Sequence, residues 1–488
     1  MPPLNPFTKT ALTVALSQAV ILPSNAATII VDTSADTLGF DECTLRAAII
    51  SANTDTPVDS CASGSGDDII LFNGVSSVTL SEQLPTVNST ITINGEANNI
   101  IIDGDYDTQI LRVDSADLTL LNATLARGYS EYGGAILASD STISINNSSL
   151  INNRAFSNSD SNASGGAISA SSSTISINNS YLYFNNAYSV SVDTNSFASG
   201  GAISASSSTI TISNSRINRN NAFSVSLGVG GTSNATGGAI SLTNSILTID
   251  ASEIHDNDTA KKGGAIATSN STTTINNSTF RANSTTDAYS ASDGGGAISV
   301  EGSSVIAVNN SYFFNNISAR DGGAINNIGG SFLTLNNVEV SSNTAVRFGG
   351  GIYSDAQSTI TNTTISSNNA ANKGGGVFIN NGGHADILNT TIANNTSANS
   401  GGGLTVYVNS TAKVTNTIIS GNSAESSIGH ETYVEDISTT QFAKTNLLGD
   451  NNKDSSSSFY GGTPSTANNI IATPVSYTHL TLPTTPYV

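Results

Sequence analysis

Few residues in this chain could do chemistry, and they stand far apart. His255, His384 and His430 share no metal-ligand spacing, and each reads as an isolated surface imidazole; His479, in the last fourteen residues, carries no functional argument. Asp103-Gly104-Asp105 is the nearest phrase to a calcium loop, but it lacks the longer Asp-x-Asp-x-Gly order. Calcium therefore has no motif behind it, and no cofactor is expected. A polysaccharide hydrolase would need a close pair of acids, and a lyase carboxylates for calcium with a base beside them. Neither pattern is present, so no catalytic residue is assigned. What remains is a set of rings in polar loops: Phe156, Tyr188, Phe197, Phe223 and Tyr289 among Ser, Asn and Asp. Aromatics so placed suit contact with carbohydrate or with a protein surface. The plainer reading of these loops is insertion tolerated at a surface corner.

The segments that would position those rings are repeats. Gly-Gly-Ala-Ile, strict or with one small change, has its first glycine at 133, 165, 200, 237, 263, 295, 322, 349, 374 and 401. A β-like run follows each copy, then an apolar residue with Asn three positions later, as in Leu182/Asn185 and Phe313/Asn316. That Asn falls 19 to 21 residues after the first glycine in all ten copies. The gap from it to the next glycine is 6 in five of nine cases and 12, 15, 17 and 12 in the others. A fixed stretch with all insertion at one corner is a stacked coil of about 26 residues. Alternation such as Ile175-Ser176-Ile177 turns every second side chain inward. No window holds a periodic helix. The expected fold is all-β, a right-handed parallel β-helix with a short N-terminal capping helix. Burying each Ile contributes roughly 1.5–3 kcal/mol. Gly-Gly permits the positive φ and close approach of a bend, and the recurring Asn is expected both to take the left-handed turn and to form an amide ladder. The longer insertions, 154–164, 186–199, 221–236 and 284–294, would then line one edge of the rod. Tyr181 and Tyr312 hold an outward position, with Tyr183, Phe184 and Phe314 beside them; residues of this kind commonly pack on a neighbouring coil.

The totals agree. Charged residues are only 11% of the 488, with 44 glycines and no tryptophan, a composition of short strands and tight turns rather than helices. A periodic hydrophobic share of 37% separates the chain from a disordered tract. Sixteen Lys and Arg against 36 Asp and Glu give a formal charge of −20, which excludes a nucleic-acid binder and favours solubility.

Residues 1–26 read as a signal peptide: Lys9, an apolar run from Ala11 to Leu22, and Ser24-Asn25-Ala26 as the cleavage site. No segment suits a transmembrane helix. In an exported chain Cys43 and Cys61 are expected to form a disulfide, worth roughly 3 kcal/mol by loop entropy. Between them a helix is expected from about 42 to 53, with Leu45, Ala48, Ile49 and Ala52 on one face and Asp41 as its cap. It would cover an open end of the solenoid.

Cys43-Thr44-Leu45-Arg46-Ala47-Ala48-Ile49 resembles the Cys-Ser-Leu-Arg-Glu-Ala-Ile motif of bacterial exported β-helix proteins, with Ala47 where the motif has Glu. The segment from Cys61 to Ile69 resembles their second cysteine and Gly-Asp stretch. The paired Gly-Gly-Ala-Ile and apolar-x-x-Asn phrases over about 133 to 424 are similar to those of the chlamydial polymorphic outer-membrane proteins. That resemblance implies a right-handed parallel β-helix and a surface, adhesin-like passenger. It transfers no receptor, because the shared residues are scaffold. No counterpart of their C-terminal membrane barrel is expected within these 488 residues.

The expected organisation is thus a signal peptide at 1–26, an N-terminal cap at 27–68, the β-helix at 69–424 and a terminal cap or tail at 425–474. Residues 475–488 resemble the translated end of a sequencing-library adapter and are expected not to be native sequence, the true C-terminus lying elsewhere. The functional expectation is a non-enzymatic protein, secreted or held at the cell surface or outer membrane of a Gram-negative-type bacterium. Its partner would be a cell-surface protein or a polysaccharide. A polysaccharide lyase or hydrolase of the same fold is the alternative.

Overall fold

Inside each repeat, β-branched residues alternate with small polar ones, and the chain answers with short strands. In Thr174–Asn178, Ile175 and Ile177 are fully buried while Thr174 is exposed. The computed structural model describes residues 26–472, apart from 40, 97–98, 159–161, 193–194, 228–230, 288–289, 291, 427, 436–437, 444, 450–457 and 462–468. Signal peptide, adapter-like tail, His479 and Tyr289 lie outside the described residues.

One coil shows the plan. Ile168–Ser171 belongs to a 13-stranded sheet (sheet I), Thr174–Asn178 to a 15-stranded sheet (sheet II), Tyr181–Tyr183 to a second 15-stranded sheet (sheet III) and Asn186–Ser191 to an 11-stranded sheet (sheet IV). Each strand pairs in parallel with the same segment of the coils before and after it, so Ile143, Ile175, Ile210 and Leu247 stand in line. The chain is a right-handed parallel β-helix. Fifteen strands at ~4.8 Å make a rod roughly 70 Å long. One aliphatic core runs through it and includes the face-to-face pair Phe280 and Phe313, 4.8 Å apart.

The two glycines of each corner do different work. Gly200 has φ +61°, and a Cβ on Gly201 would lie 2.1 Å from the Gly238 carbonyl oxygen of the next coil. The recurring Asn is divided differently from expectation. It does form the ladder: from Asn153 to Asn422, each Nδ2 donates to the next Asn Oδ1 at 2.9–3.0 Å. The left-handed turn falls instead on the residue before it, such as Phe184 (φ 57°), Asp256 (54°) or Ala282 (51°). The ladder Asn must aim its amide into the core, and the preceding residue turns the backbone to allow that. Gly128 occupies the first position and donates its N–H to Asn153 Oδ1. Two serine columns, unread in the sequence, run alongside: Ser148 N donates to Ser180 Oγ and Ser180 N to Ser215 Oγ, and Ser141, Ser173 and Ser208 repeat the arrangement.

The helix is Leu45–Thr54, and its cap is Thr44, whose hydroxyl accepts from Ala47 N; Asp41 does not cap it. Thr44 itself is extended (φ −79°, ψ 161°), and the Cys43 N–H before it donates to Asp32 Oδ1. The disulfide Cys43–Cys61 is formed. Arg46 is buried, paired with Asp36 at 2.9 Å, and donates to the carbonyls of Glu82 and Gln83, tying the helix to the first coils. The coil stacking extends into both the expected cap and the expected tail. Thr28–Val31 already pairs with Asp68–Phe72 in sheet II, and beyond Asn422 the strands Thr432–Val434, Thr439–Ala443 and Asn446–Gly449 continue sheets I, II and III. No helix among the described residues is long and apolar enough to cross a membrane.

Candidate functional site

The first three long insertions do not hang as loops. Arg154–Ser157, Asn186–Ser191 and Asn221–Ser226 pair in register within sheet IV. The returning segments Ala163–Ser164, Ser196–Ser199 and Ser233–Thr236 form a three-stranded sheet of their own. Between the layers lies a core of alanines, among them Ala155, Ala187, Ala198 and Ala235. Ser196 Oγ donates across it to the Ser189 carbonyl. The insertions therefore build a ridge on one edge of the rod. In the fourth, Ser284–Thr285 is the one strand among the described residues that joins sheet IV.

Three of the five ring positions meet on this ridge. Phe156 and Tyr188 stack with centroids 5.8 Å apart, and Tyr188 and Phe223 with centroids 5.7 Å apart, planes 4° from parallel. Tyr129, which sequence reasoning missed, stands 6.0 Å from Phe156, and the Arg154 guanidinium lies over Phe156 at 4.5 Å. Because these rings face one another, they present mainly their edges outward. Phe197 pairs with Asn234 in the other layer, 39% exposed and away from the stack.

A second cluster occupies the outer face of sheet III, where residues 26 to 37 positions apart in sequence become neighbours. Arg216 pairs with Glu253 at 2.8 Å, Arg281 pairs with the same carboxylate at 2.9 Å, and Asp256 holds His255 Nδ1 at 2.7 Å. Burial pushes the Glu253 carboxyl up. The hydrogen bond from Arg281 and the charges of His255, Arg216 and Arg281 outweigh it and hold the group below its ordinary value. His255 is buried, contrary to its reading as a surface residue, and its Nε2 has no hydrogen-bond partner. Strand register places it against Arg281 on one side and Asn218 on the other, which covers the ring. Open aromatics flank the charges: Tyr181 and Phe184 toward the N-terminal side and Tyr312 toward the C-terminal side, 50%, 46% and 52% exposed. An open cleft of about 460 Å³ lies between Tyr181, Arg216, Glu253 and Thr279.

The remaining candidates are structural. His430 is also buried, against expectation, because its Nδ1 accepts from Ala424 N and holds the last corner closed. His384 Nδ1 meets Thr411 Oγ1 on the next strand. Asp103 is held by the Arg127 guanidinium. Asp321 is fully buried and accepts from Arg347 Nε; burial raises its carboxyl above the ordinary value although Arg347 opposes that. Tyr353, in the apolar cluster with Ile328 and Phe378, is pushed up to about 12 by burial. Among the described residues no three His, Cys, Asp or Glu side chains come together to hold a metal.

No family model matches the chain, and no curated protein matches it in sequence. Among solved structures, a mannuronic acid specific polysaccharide family 6 lyase enzyme from human gut microbiota is similar at 11% identity and a TM-score of 0.36, over 84% of this chain and 86% of that one. A likeness that loose does not bear on chemistry.

Proposed function

We propose that this protein is an exported, adhesin-like rod at the cell surface or outer membrane of a Gram-negative-type bacterium, gripping a partner surface through its ridge. The observation that supports this is the ridge itself. Three consecutive insertions zip into two layers with an alanine core, giving a fixed projection where independent loops would move separately. Ring edges at coil spacing, with Arg154 beside them, form a ribbon suited to a cell-surface protein or polysaccharide. Replacing 154–164, 186–199 and 221–236 by the short turn of the compact coils should abolish adherence to cells or immobilised glycans and leave the far-UV β signal intact. Adherence undiminished by that change would refute the role of the ridge.

A second reading, a polysaccharide lyase or hydrolase, is favoured by one observation: His255, held at Nδ1 by Asp256 and set beside Arg281, resembles an oriented base. Release of unsaturated or reducing ends from a polysaccharide panel, lost in His255→Ala, would establish that reading in place of the first.

A further inference from the structure

The aromatic and charged face of sheet III has features the ridge lacks. Tyr181 and Tyr312 are half-exposed, and neither stacks on another ring among the described residues, so their faces are available. They stand four coils apart, about 19 Å at ~4.8 Å per coil, the span of a short chain of sugar rings rather than of one. Between them the ion pairs fix donors and acceptors side by side: guanidinium N–H groups from Arg216 and Arg281, carboxylate oxygens from Glu253 and Asp256. A hydroxyl both donates and accepts and can use such a mixed row; a carboxylate can only accept.

Charge points the same way. Arg216, Arg219 and Arg281 against Glu253 and Asp256 sum to +1, and two of the three guanidinium groups are already engaged by Glu253. On a chain of formal charge −20 this patch offers little attraction to a polyanion. His255 Nε2, enclosed and unpartnered, adds a polar atom that a ligand hydroxyl would satisfy once the covering side chains shift.

We infer that the outer face of sheet III binds a neutral oligosaccharide laid along the rod axis. Tyr181 and Tyr312 are its stacking platforms, and Arg216, Glu253 and Arg281 read its hydroxyls. This narrows the polysaccharide limb of the surface-binding proposal but uses a different sheet, so the two can fail separately.

The test is calorimetric titration of the full chain with neutral hexasaccharides (gluco-, xylo- and manno-configured) and with uronate hexasaccharides. A neutral ligand should bind, insensitive to added salt. Tyr181→Ala and Tyr312→Ala, both exposed positions, should each weaken it by roughly tenfold, and together abolish it, with the far-UV spectrum unchanged. Glu253→Gln should weaken binding less, and the ridge-deleted chain should bind as well as the intact one. The inference is overturned if no neutral hexasaccharide binds, if uronates bind tighter, if salt removes the binding, or if affinity survives the double Tyr substitution. Loss on ridge deletion alone would move the site to the ridge and equally overturn it.

Discussion

Asn283→Ala is the sharpest test of what holds the coils together. Asn283 Nδ2 donates to Asn316 Oδ1 and to the Ile254 carbonyl, both at 3.0 Å, and its Oδ1 accepts from Asn257 N and Asn257 Nδ2 at 3.1 and 3.0 Å. Truncation removes all four bonds. It leaves two buried donors of Asn257 and one buried carbonyl without these partners; Asn316 Oδ1 keeps the bond from Asn283 N. At ~1–3 kcal/mol for each orphaned group, the loss should be on the order of 3–6 kcal/mol after partial relaxation. Asn309→Ala is the control. Asn309 also sits in an amide row, donating to Asn276 Oδ1 at 2.9 Å, but on the outer face of sheet II where water can replace the bond, so its loss should stay below ~1 kcal/mol. Urea unfolding followed by far-UV dichroism would compare the two, with limited proteolysis near 283 as a local readout because stacked coils need not unfold in one step. Equal midpoints for the two variants would show that the interior amide ladder is not what secures the coils.

Other outcomes follow from single contacts. Gly201→Ala places a Cβ 2.1 Å from Gly238 O and 2.5 Å from Asn221 N, both backbone, and should prevent a folded rod from accumulating; recovery of soluble protein with a wild-type melting curve would contradict it. Glu431 accepts from Asn422 Nδ2, Asn422 N and Gly421 N at the C-terminal end of the ladder, so Glu431→Ala should open the chain beyond 422 to protease, while Glu431→Gln, which keeps an acceptor, should protect it in part. Burial holds the Asp258 carboxyl above its ordinary value, only partly offset by Ser284 and Thr259. The folded state then binds more protons than the unfolded chain from ~3.9 up to that raised value, and the Asp258 contribution to stability declines as pH rises through the window. Asp258→Asn should therefore raise the urea midpoint at neutral pH and give no gain in acid; a uniform shift across pH would count against the cause given.

Much of the architecture was legible because each coil repeats one residue at one offset. The glycine corner, the inward isoleucines and the ladder Asn could all be placed by counting. What counting could not supply was the division of labour at the corner, where Asn185 aims its amide inward and Phe184 takes the left-handed turn; composition favours Asn for both tasks. The ridge left a signal that went unread: Asn186-Ala187-Tyr188-Ser189-Val190-Ser191 and Asn221-Ala222-Phe223-Ser224-Val225-Ser226 are near-copies with strand alternation, which separate loops would not need. The Arg216, Glu253 and Arg281 cluster left none, because its members meet only through strand register. The helix cap was misplaced because Asp41 has the right chemistry for a start three residues too early.

The amide ladder also bears on how long such a rod can be. Every link is the same bond in the same direction, from the Nδ2 of one coil to the Oδ1 of the next. Removing or adding one complete coil leaves each remaining link closed. The stretches 165–175 and 200–210 are identical over eleven residues, and recombination within the coding segments of such copies exchanges whole coils. Rod length is therefore a quantity that can change in single-coil steps without redesign of the core. The reach of whatever the ridge and the sheet III face hold would change with it.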